Sequence, residues 1–299
     1  MSEPLAANDA TPRPVSGLLA GRDTLDGAGV RLRRFIGTGD CLQHDPFLLL
    51  DRFASDNPRD YIAGFPEHPH RGFETVTLIF AGELEHRDST GRNGVIGPGG
   101  VQWMTAGRGI VHSEMPRQRQ GLLHGLQLWV NLPACLKLCP PAYREFAAAD
   151  IPVETRAGGI RVRVLAGSSS HGSRGPITGV ATDPILQDWS LPGGTGGREP
   201  LPRDHAALLY VVAGSLQVPG ESAPVRLPTD SVALLGGGDE MRLKGLEEDN
   251  RAVLVAARPL GEPVVRGGPF VMNSRDEILQ AFRDYQADRL AAEPGDGEV

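Results

Sequence analysis

From Val30 to about Tyr143 the chain alternates short apolar, β-branched runs with clusters of Gly, Pro, Asn and Asp: "VRLRRFIG", "FLLLDRF", "TVTLIFAG", "ELEHRD", "GVQWMTAG", "GIVHSEM" and "LHGLQLWVNL". Runs this short, closed by turn residues, predict antiparallel strands of a sandwich or barrel with no helix of ordinary length among them. The composition shifts around "PPAYREFAAADIPVETRAGG". A second series in the same style then follows: "IRVRVLAG", "ALLYVVAGSLQV", "DSVALLGGGDEMRLKG" and "AVLVAARPLG". "LIFAGELEH" and "LYVVAGSLQV" each hold a strand, a Gly turn and a returning strand, which reads as an internal duplication. The C-terminus departs from this pattern. Ser274 followed by Glu277 is a capping box, and Ile278, Leu279, Phe282, Tyr285 and Leu290 recur at roughly helical spacing. One amphipathic helix packed against a domain is expected there.

The pattern divides the chain into a polar, proline-bearing tail over 1–16, a β-domain over 17–145, a linker over 146–160, a second β-domain over 161–273, and a C-terminal helix and tail over 274–299. A length of 299 residues suits two such domains, and 39 glycines with 25 prolines suit a turn-rich, all-β protein. The formal charge is −7, Lys137 and Lys244 are the only lysines, and the arginines are scattered. A concentrated basic surface is therefore lacking, and direct nucleic-acid binding is not expected. No apolar run approaches the ~20 residues of a membrane span, and "MSEPLAANDATPRPVSG" has neither the basic start nor the apolar centre of a signal peptide. A cytoplasmic, non-membrane protein is expected, a monomer in the absence of an interface motif. Cys41, Cys135 and Cys139 make no paired framework, which fits a reducing compartment.

Candidate chemistry concentrates in two segments. In "HPHRGFETVT" His68 and His70 are two apart, so on a strand they share a face, and Glu74 keeps the same parity if the piece stays extended. Pro69 cannot donate a ladder hydrogen bond, which suits an edge or a bulge. In "RGIVHSEMP" His112 and Glu114 again share a face. A single His-x-His is a common surface or packing feature, whereas two such pairs in one domain point to a metal. If the segments lie side by side facing inward, His68, His70, His112 and Glu114 converge. Three imidazoles and one carboxylate suit a first-row divalent ion and leave an octahedral one two open positions. The second half has no His-x-His, and His205, before its strand, reads as structural. Strand placement makes His86, Gln127 and Trp129 candidates for lining a pocket. No nucleophile elbow or phosphate-binding loop competes.

"HPHRGFETVT", "EHRDSTGRNGVIGPGGVQWMTAGRGIVHSEMP" and "GPFVMN" resemble the pirin family of the cupin superfamily, and the likeness runs from "DPFLLLDRF" to the C-terminal helix. The resemblance implies tandem cupin barrels (a bicupin) with one metal, usually iron, in the N-terminal barrel. It implies His68, His70, His112 and Glu114 as ligands, with Glu74 near the site, although the general cupin pattern would make that glutamate a ligand. It further implies a quercetin 2,3-dioxygenase that opens flavonol-like substrates with dioxygen and releases carbon monoxide. Glu114 would serve there as ligand and as general base for the flavonol 3-hydroxyl. Fe(II) is the expected ion, and a His3Glu set also tolerates Mn, Co, Ni, Cu and Zn. Two other readings stand beside this one. An iron-bearing regulator would act through a protein partner, a transcription factor or metabolic enzyme, and a non-oxidative cupin enzyme would be an isomerase or decarboxylase. A cavity reaching the ion separates the enzymes from the regulator.

Overall fold

The computed structural model describes residues 10–291. They form two compact units, one of 21–150 with 260–291 and the other of 10–20 with 151–259. The first unit has two antiparallel sheets. The larger runs, in spatial order, through Ala142–Phe146, Val101–Thr105, Phe73–Ala81, Leu123–Asn131, Phe47–Ser55, Val30–Ile36 and Arg22–Asp26; the smaller through Phe65–His70, Ile110–Pro116, Leu84–Asp88 and Asn93–Ile96. The second unit repeats this arrangement. Its large sheet runs through Val15–Leu19, Val232–Leu235, Ala206–Ala213, Asp249–Ala257, Ile185–Pro192, Arg161–Ala166 and Val153–Thr155, and its small one through Gly196–Pro200, Glu240–Gly245, Ser215–Val218 and Val225–Pro228. Strand for strand the two orders correspond, as an internal duplication of an all-β domain requires.

The correspondence shows where the expected boundaries differ from the chain. The edge strand beside Val101–Thr105 is supplied by Ala142–Phe146 from the same half, whereas its counterpart in the second unit is Val15–Leu19 from the N-terminus. Of the expected tail, residues 1–9 lie outside the described residues, and the rest is ordered structure. Arg13 is 2% exposed and donates to the carbonyls of Pro202, His205 and Gly236. A buried guanidinium needs such acceptors, so the segment is anchored by polar contacts that an apolar pattern does not reveal. The expected linker is likewise part of the fold, since Val153–Thr155 pairs with Arg161–Ala166. At the other end, the second unit closes at Pro259 and residues 260–291 belong with the first. Asp45 accepts from the amides of Leu260 and Gly261. Buried Lys137 donates to the carbonyls of Gly72 and Val271 and to Asn131 Oδ1. The helix spans Arg275–Gln286, with Ser274 accepting from the Glu277 amide. It buries Ile278 and Ala281 and leaves Leu279 and Tyr285 exposed, so its apolar stripe is narrower than the sequence suggests.

The two units use the same frame differently. In the second, inward side chains of both sheets, among them Trp189, Leu209, Met241 and Leu254, join in one apolar cluster. Arg156 lies 4.5 Å over the Trp189 ring, held between Glu154 and Glu199. In the first, the corresponding cluster of Leu32, Phe53, Tyr61, Ile79, Leu84, Ile96 and Leu123 occupies only part of the space between the sheets. Burying each of these side chains stabilises the frame by about 1.5–3 kcal/mol. On the strand that carries Ile79, the residues two and four positions earlier on the same face are Thr77 and Thr75. The polar part of the interior begins there.

Candidate metal centre

Two strands of the small sheet bring the histidines together. Phe65–His70 pairs with Ile110–Pro116 so that His112 lies directly opposite His68, and an extra residue on the first strand shifts the register before Glu114 meets Phe65. Bulges commonly re-aim side chains in this way beside functional sites. The ring centroids are 4.3 Å apart for His68 and His112, 4.7 Å for His68 and His70, and 5.0 Å for His70 and His112. One ring nitrogen from each lies within 4.8 Å of the others.

Hydrogen bonding decides which nitrogen faces the centre. His68 Nδ1 is 2.8 Å from the Pro66 carbonyl and His70 Nδ1 is 3.3 Å from that of Pro269. A carbonyl only accepts, so each Nδ1 carries the proton and each Nε2 keeps its lone pair. Burial and the neighbouring His68 push His70 down to about 3, against the opposing effect of the Pro269 carbonyl. His112 is driven well below its ordinary value by burial and by His70, His68 and His86. Both rings are neutral at physiological pH, the form that ligates a cation. His112 Nε2 is buried without a hydrogen-bond partner, the kind of orphan that a bound ion resolves. The donor set fits a divalent metal.

Glu114, 3% exposed, lies on the same face as His112 but outside the tight group of three. Its oxygens accept from Thr77 Oγ1 at 3.1 Å and from Gln127 Nε2 at 2.8 Å. Thr77 and Gln127 are direct cross-strand partners on the large sheet, so that sheet holds the carboxylate opposite the histidine strands. Glu74 is elsewhere. The chain turns at Gly72, with φ of 88°, passing from the small sheet to the large one, and the parity expected across His70–Glu74 is lost. Glu74 pairs with Val130 and Thr105, on the face opposite Thr75 and Thr77, where Thr105 Oγ1 donates to it at 2.7 Å and burial raises its carboxyl.

A cavity of about 550 Å³ opens onto the cluster, lined among others by His68, His70, Gln127, Trp129, Arg34 and Arg266. Its volume is that of sites for drug-sized ligands. Trp129 stacks on Phe73 at 4.3 Å and meets His70 edge-on, which fixes one apolar wall. Gln127 and Trp129 thus line the cavity, whereas His86 does not: it is 1% exposed and lies behind His112.

The relatives of the chain agree with this architecture. Residues 29–130 match the Pirin family model and residues 186–291 match that of the Pirin C-terminal cupin domain. A pirin-like protein of Caulobacter vibrioides is 50% identical over 93% of this chain and 99% of its own length. The chain belongs to the pirin family. Another relative of this pirin, from Pseudomonas aeruginosa and provisionally named a quercetin 2,3-dioxygenase, is 49% identical over 93% of this chain and 98% of its own length. Among solved structures, a quercetin 2,3-dioxygenase from Acinetobacter baumannii superposes with a TM-score of 0.84 at 34% identity, covering 93% of this chain and 98% of that one.

Three parts of the pirin site escape the sequence reading. Thr77, and the grip on Glu114 that it shares with the pocket residue Gln127, depend on strand pairing. Pro269, almost two hundred residues from His70, depends on the C-terminal return. Asp88, two residues after His86, was open to the parity argument used for the other pairs, for "EHRD" has their spacing.

Proposed function

We propose that this pirin is a metal-dependent dioxygenase of flavonol-like substrates, with quercetin 2,3-dioxygenase activity and Fe(II) as its ion. The observation that carries the reading is the histidine cluster, with His112 Nε2 buried and bare within it, beside a ligand-sized cavity whose wall includes His68 and His70. A purely regulatory metal site has no need of such a cavity. His68, His70 and His112 would hold the metal, with Glu114 as a fourth ligand that can loosen. When bound, the metal supplies a Lewis acid for the substrate enolate and a redox partner for dioxygen.

The residues of the chain account for the remaining steps. Trp129 offers an apolar face against which a flat polyphenol packs and excludes water. Gln127 and Thr77 each donate one hydrogen bond to Glu114 and leave lone pairs on both oxygens, from which it can take the flavonol 3-hydroxyl proton. Gln127 has a second amide hydrogen with which to orient a substrate oxygen. The test is an aerobic assay of Fe(II)-reconstituted protein with quercetin. Substrate and dioxygen should be consumed together by the wild type and spared by the His68→Ala, His70→Ala double variant. Iron-replete protein that leaves quercetin intact would contradict the proposal.

A further inference from the structure

The three histidines do not have equivalent outer partners. His68 and His70 turn Nδ1 to main-chain carbonyls, whereas His112 Nδ1 meets another imidazole, His86 Nδ1, at 3.4 Å. His86 Nε2 in turn meets Asp88 Oδ2 at 3.1 Å. The side chains of His86 and Asp88 are 1% and 0% exposed. Asp88 is fixed through its other oxygen, which accepts from the amide and hydroxyl of Thr90 and from the amide of Arg92. His86 is fixed by Tyr143, which stacks on it at 4.4 Å and 25° and whose hydroxyl accepts from Gln102.

Proton bookkeeping along this row has one solution for a neutral His86. A carboxylate only accepts, so His86 carries its hydrogen on Nε2 and presents a lone pair at Nδ1. His112 must then donate from Nδ1, which leaves Nε2 bare toward His68 and His70. If the hydrogen on His86 sat on Nδ1 instead, His112 would have to accept there and would carry its own hydrogen on the atom that faces the cluster. The state of a buried ring is thus dictated from two residues away.

We propose that Asp88 and His86 are positioning residues that set the tautomer of His112 and make it the strongest donor of the three histidines. The proposal rests on the metal reading above for its consequence, but its first part concerns the protein alone. A carbonyl polarises an imidazole N–H as a dipole. An imidazole backed by a full negative charge polarises it more, and His112 gains electron density at Nε2 relative to His68 and His70. The centre is therefore asymmetric, with its most electron-rich nitrogen on the strand that also carries Glu114.

The experiment pairs two readouts on wild type, Asp88→Asn, His86→Phe and His86→Gln. In metal-free protein, imidazole 15N chemical shifts report which nitrogen of His112 holds the hydrogen; the proposal requires Nδ1–H in the wild type and a shift toward Nε2–H in Asp88→Asn. In Co(II) titrations followed by the visible spectrum, Asp88→Asn and His86→Phe should bind about 10–100-fold more weakly with altered bands. His86→Phe keeps a ring against Tyr143 but removes the acceptor, whereas His86→Gln restores an acceptor oxygen and should recover most of the affinity. Should Asp88→Asn fail to fold, the contrast between His86→Phe and His86→Gln decides. Folded variants with wild-type Co(II) affinity and bands, or a wild-type His112 carrying Nε2–H, would overturn the proposal. A wild type with Nδ1–H that takes up no Co(II) would overturn the donor role together with the metal reading, while leaving the tautomer assignment standing.

Discussion

At the scale of single residues, the site follows from parity and from what each polar atom can donate or accept. His68 and His70, and His112 and Glu114, were legible because spacing of two on a strand fixes a shared face. Glu74 was misread for a physical reason: Gly72, at φ of 88°, ends one strand and starts the next in a different sheet, and parity does not cross such a corner. If Glu114 is the general base, Glu114→Gln should lower turnover by about 10²–10⁴-fold while the three histidines retain iron, checked by kcat alongside metal analysis. A variant retaining both iron and full activity would remove that role. The low value of His70 has a stability consequence. Its folded value, about 3, lies below that of an unfolded histidine, so the unfolded chain binds more protons as pH falls. Its contribution is fully present above about pH 6.5 and is lost progressively below it, by about 2 kcal/mol at pH 5. Urea midpoints of metal-free protein should therefore drop between pH 7 and pH 5, and a His70→Phe variant should drop less.

At the scale of elements, the centre depends on a segment that the apolar pattern could not attach. The segment of Val265–Gly267 and Phe270–Met272 was expected in the second β-domain and the helix was legible as capped, but neither pattern names a partner. The attachment is polar and steric. Lys137 joins Gly72 to Val271. Arg71 joins Asp284 at 2.7 Å. A Cβ on Gly72 would stand 2.0 Å from the Val271 carbonyl oxygen. Gly72→Ala should thus destabilise the protein by about 2 kcal/mol or more, from a left-handed backbone and a backbone clash together. Because the same segment presents the Pro269 carbonyl to His70, Co(II) affinity should fall with it. Denaturant midpoints and metal titration read the two effects separately, and a variant with wild-type values for both would show that the close approach is unimportant.

At the scale of the whole molecule, the duplication was legible from two strand-turn-strand repeats, and the exchange of terminal segments was not. Val15–Leu19 lies more than two hundred residues before its partner Val232–Leu235, and its exposed Leu18 and small residues carry no strand signal of their own. Deleting residues 1–19 should leave that edge unpaired and remove the Arg13 anchor. The thermal midpoint should fall and the tendency to aggregate should rise, as for any long open strand. Metal uptake, which draws on residues of the other unit, should survive at temperatures where the variant is folded. The duplicated frame also shows why the candidate site lies in one unit. Where the second closes its interior with Trp189, Met241 and the Glu154–Arg156–Glu199 row, the first leaves a cavity beside three histidines.

The central claim, that this cavity and cluster run a dioxygenase reaction, is tested most directly by the gas balance of one reaction. Fe(II)-loaded protein is given quercetin in sealed, air-equilibrated buffer, and dioxygen consumed and carbon monoxide released are measured together. The account predicts equimolar uptake and release, abolished in the His68→Ala, His70→Ala double variant. Fully iron-loaded wild type that consumes no dioxygen, or consumes it without releasing carbon monoxide, would contradict it.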